Sequence, residues 1–455
     1  MFKKILPMTL LLLITLTHAG LTTALANDLA HVKQHTKVIK GIQQVMLEHY
    51  VFVDKAQQLN QHLDQLIETQ YFDGYIEPQA FAKALTKEMR RFAKDKHISV
   101  RPPRTRNATA DLSQTPKTSL FDQHLQNLMQ FRHGGFGDVK FFDGNVGYFR
   151  LDGFRREDKL QIDPLMAYLA TADAVIVDLR KNGGGGDIVN YLSSYFLPEN
   201  IILTSTYTRK TNHTKHTTTV QVNGRKRLDV PLFILTSNRT FSAAEAFAYS
   251  LQARKRATII GEVTGGGAHP ITGKPLPHGF GLIVPYARSI NPITKTNWQD
   301  VGVIPDIEVT ADKALEKAKE VAKARATQYR EKPFNQLEAL LEKPTLSAAE
   351  EKNVYQRLKV MLARHHLESF MVNGLAYQYK MSGNLTAALA MFKANIRLLP
   401  NDPNAFDSYG EALAENAEYD KALFYYKQAV LLATKQQDKQ LQRYQTNLAN
   451  FKAKL

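Results

Sequence analysis

Residues 174–186 read Ala174-Val175-Ile176-Val177-Asp178-Leu179-Arg180-Lys181-Asn182-Gly183-Gly184-Gly185-Gly186. Side chains alternate across a strand, so a half-exposed strand alternates apolar with polar residues. The apolar run that opens this stretch does not alternate, and it predicts a central strand covered on both faces. Four glycines follow, and a helical pattern opens at about Asp187. A second unit of the same design begins with the apolar run Leu232 to Thr236, passes through Ser237-Asn238-Arg239-Thr240-Phe241-Ser242 and enters another helix. Val146 to Leu151 reads as a further strand, with a helix near Lys159 to Ala170. Strands alternating with helices predict an α/β core, with both loops at the carboxyl ends of sheet strands, where such folds build their sites.

Working outward, residues 28–110 read as an N-terminal helical domain that carries His97. Apolar residues recur there at three- and four-residue spacing (Val38, Ile42, Val45, Met46; Phe81, Leu85, Met89, Phe92) until Pro102-Pro103. Residues 111–132 form a connecting segment with a helical stretch from Leu120 to Phe131, and 133–312 hold the α/β core. Beyond Pro305-Asp306 the chain turns helical, with a helical linker over 313–365 and a repeat over 366–440. At a 34-residue offset Ala388 matches Ala422, Leu389 matches Leu423, Phe392 matches Tyr426 and Leu385 matches Tyr419. These are the helix-pair packing positions of tetratricopeptide repeats, which predicts an all-α module that recruits a protein partner. Arg209 to Arg227 reads as two Thr/Val-rich strands turning at Asn223-Gly224.

The chain has 455 residues, 44% hydrophobic and 22% charged, with no cysteine and a formal net charge of +16. The length points to about three units. Absence of cysteine excludes disulfides, a cysteine nucleophile and a lipid-bearing cysteine. The basic residues are spread along the sequence, so no nucleic-acid surface is expected despite the charge. At the N-terminus Lys3 and Lys4 precede an apolar run from Ile5 to Leu16, and Ala24-Leu25-Ala26 follows. That layout over residues 1–26 predicts a secretory signal peptide, hence a periplasmic or secreted protein, and the run is short of the ~20 residues a membrane span needs.

Ser242 follows a buried strand and opens a helix, so its hydroxyl has fixed geometry beside N–H groups that can stabilise an oxyanion. The competing reading is a helix cap, because Ser242 with Glu245 three residues on is a capping box. The glycine run permits close backbone approach and presents unblocked N–H groups, but it lacks the Gly-Lys-Ser/Thr of a phosphate loop. An oxyanion hole made by Gly184 N–H and Ala243 N–H fits better. No histidine pair stands at metal-ligand spacing beside a supporting carboxylate, so neither metal nor cofactor is expected.

The runs Asp178-Leu179-Arg180-Lys181-Asn182-Gly183-Gly184-Gly185, Thr240-Phe241-Ser242-Ala243-Ala244-Glu245, Gly261-Glu262-Val263-Thr264-Gly265-Gly266-Gly267-Ala268-His269-Pro270 and Gly302-Val303-Ile304-Pro305-Asp306, with Asp95-Lys96-His97 upstream, resemble the S41 peptidase family. Within it the chain is similar to the branch of the interphotoreceptor retinoid-binding protein modules and the tricorn core. The resemblance implies a crotonase-like or ClpP-like α/β catalytic core and a serine-type endopeptidase acting on proteins or peptides through an acyl-enzyme. It implies Ser242 as nucleophile and His97 as general base, with Gly183, Gly185 and His269 shaping the substrate cleft and His269 competing as base. The Lys that carboxyl-terminal processing members use as base is replaced by glycine in Gly265-Gly266-Gly267. Relatives carry Glu in the run that here reads Asn297-Trp298-Gln299-Asp300, so the acidic third member falls to Gln299, which is neutral, or to Asp300. Two other readings stay open: a non-catalytic protein that binds an apolar ligand or peptide in the cleft, and a repeat protein for which the peptidase fold is a scaffold.

Overall fold

The computed structural model describes residues 31–103, 120–121, 135–154, 159–186 and 188–455. The signal segment 1–26, nearly all of the connecting segment 111–132 and Asp187 lie outside them. The strands are β1 (Ser99–Arg101), β2 (Phe136–Phe142), β3 (Val146–Leu151), β4 (Ala174–Asp178), β5 (Ile202–Thr208), β6 (His213–Thr218), β7 (Leu232–Thr236), β8 (Thr258–Gly261), β9 (Ile271–Pro275), β10 (Gly281–Pro285), β11 (Ala287–Ile290) and β12 (Ile307–Glu308). A mixed α/β region is followed by helices alone, as the sequence predicts.

The main sheet has the order β12-β8-β7-β4-β3-β2. Every residue of β4 and of β7 is buried, which is why neither alternates in polarity. Strand β8 runs parallel to β7 and to β12. Two small sheets flank this one, β1-β10-β9 and β11-β5-β6. The second corrects one expectation. Strand β6 turns back on β5 through a short 3-10 turn at Arg209–Thr211 and a left-handed Asn212, so the hairpin does not turn at Asn223-Gly224. Asn223 instead donates its side-chain amide to Asp163, which holds that segment away from any ladder.

Three helices precede β1, over residues 31–49, Val53–Glu68 and Pro78–Ala93. Each buries one stripe: Val38, Ile42 and Met46; Ala56, Leu59 and Leu63; Phe81, Leu85 and Met89. The stripes do not close on one another alone. Leu276 and Phe280 from the β9–β10 turn, with Leu282 and Val284 of β10, complete the same core. The helical N-terminal part and the small sheet are thus one packed body.

The chain divides into two compact units, one of residues up to 140 with 148–167 and 176–319, the other of 141–147, 168–175 and 320–455. In the second unit Ser369–Met381 and Pro403–Glu415 start 34 residues apart, and Leu385–Leu398 and Tyr419–Gln436 keep the same offset. Ala388, Ala422 and Phe392 are wholly buried and Tyr426 nearly so.

The same unit contains a buried carboxylate, Asp173, only 2% of whose side chain is exposed. Its oxygens receive His366 Nε2 at 2.7 Å, Arg330 at 2.8 Å and the Asn145 amide at 3.0 Å. Burial alone would push its pKa up, but these hydrogen bonds and the Arg330 charge outweigh burial, and the net shift is down. A depressed carboxyl pKa stabilises the fold above the unfolded value of 3.8, and that contribution is lost as pH falls through the folded value. Asp173→Ala is expected to lower stability at pH 7 by roughly 1–3 kcal/mol, because it leaves the buried His366 Nε2 without its acceptor and unpairs the half-exposed Arg330. Urea unfolding of the two proteins at pH 7 and near pH 3 checks this, with the difference between them shrinking at the acid end.

Candidate active site

Strand β7 delivers the chain to Ser242, and the helix Ala243–Ala253 leaves from it. To make that turn Ser242 takes φ 55° and ψ −114°, a conformation that costs a non-glycine residue roughly 1–3 kcal/mol. An ordinary N-cap sits in the extended region, so this geometry is that of a sharp elbow holding a side chain out. Within the Ser242–Glu245 capping box, Ser242 N–H donates to Glu245 Oε2 at 2.7 Å. Glu245 is wholly buried. It also receives Gly267 N–H at 2.8 Å on Oε2, and Gly266 N–H at 2.6 Å and the Thr264 hydroxyl on Oε1. Burial raises its pKa against these donors.

The glycine run after β4 lies against the elbow. A Cβ on Gly184, whose φ is +99°, would stand 2.8 Å from Ser242 Cβ and from Phe241 O, so only glycine fits. The wholly buried Asn182 locks this approach: its amide donates to Leu151 O, its carbonyl accepts Phe241 N–H, and its Oδ1 accepts Gly184 N–H at 2.9 Å. The Gly184 donor expected in an oxyanion hole is therefore already engaged. Ala243 N–H is the first of its helix, and such groups have no intrahelical acceptor. Asp178 fixes the other side of the run by accepting from Arg180 and from the Tyr148 hydroxyl.

The histidines come from far apart in sequence. Strands β1 and β9 both pair antiparallel with β10, so they run the same way and begin at the same edge. The segments entering them, Asp95 to His97 and Gly265 to His269, are thereby neighbours, and Lys96 Nζ donates to Gly265 O. His97 lies against the Phe241 ring, with centroids 4.8 Å apart, over Gly267, where a Cβ would stand 2.7 Å from its Cε1. Burial lowers the His97 pKa, Asp95 partly offsets this, and His269 and Arg90 lower it further. Asp95 is 1% exposed; its Oδ2 is 2.9 Å from His269 Nδ1 and its Oδ1 is 3.8 Å from His97 Nδ1.

Gln299 and Asp300, expected as the third member, make hydrogen bonds to the glycine turn and its surroundings. Gln299 Oε1 accepts Ala268 N–H at 2.8 Å, and its amide nitrogen donates to Asp300 and to Lys94 O. Asp300 is exposed, at φ 67° in a turn, with its N–H on Gly266 O. Both fasten the glycine turn. Trp298 does likewise through Nε1 on Gly267 O.

Ser242, Ala243, Gly185 and His269 line one cavity of about 330 Å³, with Val189, Leu203, Ala246 and Trp298 supplying apolar walls. Gly183 is exposed beside it, and His97 stands behind Phe241 and Gly267 rather than in the lining. Sequence reasoning missed Asp95, Asn182 and the structural reach of Glu245. The first was visible in Asp95-Lys96-His97, and the last in the Ser-x-x-Glu spacing read as a cap.

Residues 145–309 match the model of peptidase family S41, and residues 22–131 match that of the N-terminal domain of Peptidase_S41 in eukaryotic IRBP. A carboxyl-terminal-processing protease of Synechocystis sp. is 32% identical over 165 residues, covering 36% of this chain and 37% of that protein. Its counterpart in Picosynechococcus sp. is 30% identical over 165 residues, covering 35% and 38%. The chain thus spans under two fifths of the length of these curated relatives. Among solved structures, a photosystem II D1 C-terminal processing protease aligns at 16% identity and a TM-score of 0.41, covering 64% of this chain and 98% of that one. Through residues 22–131 and 145–309, the chain belongs to the S41 peptidase family.

Proposed function

We propose that this protein is an exported serine-type endopeptidase that cleaves proteins or peptides through an acyl-enzyme. The observation that carries the reading is the strained Ser242 elbow opening onto a cavity it shares with His269. Ser242 Oγ attacks the scissile carbonyl while a histidine takes its proton and later gives it to the leaving amine. His97 is the base in this reading, and its lowered pKa keeps the imidazole neutral and able to accept a proton near pH 7. Ala243 N–H faces the developing oxyanion. Gly184 N–H joins it only by leaving Asn182 Oδ1. Water then hydrolyses the ester. The apolar walls suit an uncharged, apolar substrate side chain.

Residues 28–110 supply His97, residues 133–312 form a crotonase-like or ClpP-like core, and the helical pairs over 366–440 are tetratricopeptide repeats that recruit a protein partner. Periplasmic or secreted localisation follows from the signal-like residues 1–26. Among the described residues no helix is long and apolar enough to cross a membrane. A second reading, a binding protein without catalysis, is favoured by the neutral Gln299 and the engaged Gly184 N–H.

A fluorophosphonate probe separates the two readings. Wild-type protein is expected to label at Ser242, Ser242→Ala not at all, and His97→Ala on the order of 10³-fold more slowly. His269→Ala, made in parallel, shows which ring is the base. Folded wild type that does not label leaves the binding reading in place. The labelling rate is also expected to rise with pH as the base loses its proton, with a midpoint below the ordinary histidine value of 6.5 because burial has lowered it.

A further inference from the structure

We propose that Asp95 is the carboxylate that positions the site's two histidines, the part that the sequence assigns to residues 299–300. The inference rests on the Ser–His reading above and extends it.

Burying a carboxylate is costly unless hydrogen bonds compensate, and Asp95 is 1% exposed. Its partners belong to the site. Oδ1 accepts the His97 backbone N–H at 3.1 Å, Oδ2 is bonded to His269 Nδ1 at 2.9 Å, and the Tyr50 hydroxyl stands 3.5 Å from Oδ2. A carboxylate on Nδ1 fixes the tautomer, since Nδ1 must donate and Nε2 is left as the acceptor. The buried Nε2 of His269 has no hydrogen-bond partner among the described residues, and the ring lines the cavity shared with Ser242. One ring nitrogen is thus held and the other is free to take a proton. His97 receives the same carboxylate through its backbone and, at 3.8 Å, electrostatically at Nδ1. Gln299 is neutral and both ends of its amide are engaged elsewhere, the oxygen by Ala268 N–H and the nitrogen on Lys94 O and Asp300 Oδ1. The other charged or titratable groups facing the cluster are Arg90 and Lys96 beside His97, and Tyr50 and Asp300 on the Asp95 side. Asp95 touches no reacting atom and acts through the imidazoles, so it is a positioning residue.

The test uses the full chain as wild type, Asp95→Asn and Asp95→Glu, read by ring-nitrogen NMR and by fluorophosphonate labelling against pH. In wild type His269 is expected to carry its proton on Nδ1 in a protected, downfield-shifted signal. Asp95→Asn is expected to abolish that signal and to move the His97 titration midpoint down by about one pH unit. It should also slow labelling on the order of 10²-fold or more, with Asp95→Glu recovering part of the rate. An Nε2–H tautomer for His269 in wild type overturns the proposal without any variant. So does an Asp95→Asn protein with unchanged ring signals, or one that labels as fast as wild type. Wild type that never labels sinks the hydrolase reading instead, and the ring signals still decide the role of Asp95.

Discussion

The buried Glu245 carboxylate ties the serine elbow to the glycine turn. Glu245 takes N–H groups from the elbow and from the glycine turn, with the Thr264 hydroxyl as a fourth donor. Four donors converging on two oxygens leave no room for a slipped register in any segment that supplies them. The constraint propagates outward. Gly267, held by Glu245 and by the Trp298 indole, forms the surface on which His97 and Phe241 rest. The strain at Ser242 is tolerated because the surrounding bonds over-determine it.

Much of this architecture is legible in the sequence, and the reason is local. A strand covered on both faces cannot alternate, so β4 and β7 announce themselves as unbroken apolar runs. Helix stripes such as Phe81, Leu85 and Met89 report their own period. The hairpin was misplaced because Asn-Gly is only a local preference. Pairing of β5 with the Thr-rich β6 sets the turn at Asn212, and Asn223 serves a side-chain bond to Asp163. Asp95 stands in plain view in Asp95-Lys96-His97, but its reach to residues 50 and 269 was hidden for a different reason. A buried carboxylate is identified by what it faces, and its partners at positions 50 and 269 are brought to it by strand order, which no window of sequence records.

The second unit is governed by small residues. Ala388 and Ala422 are wholly buried in the core of the helix pairs, and Gly410 lets the Tyr426 ring lie against its helix. Larger side chains there would push the helices apart. The exposed faces of these helices are free to diverge, whereas the alanine positions are not.

The pairing of Ser99 with Ile283 has a consequence for how the protein comes into being. The strand that the Asp95–His97 segment enters has no partner until β10 exists, and the N-terminal helices lack one wall of their core until Leu282 and Val284 arrive. During vectorial synthesis the nascent chain therefore holds its helices and its glycine loops without an assembled site. Assembly of the site waits on a long-range closure that is slow by its topology.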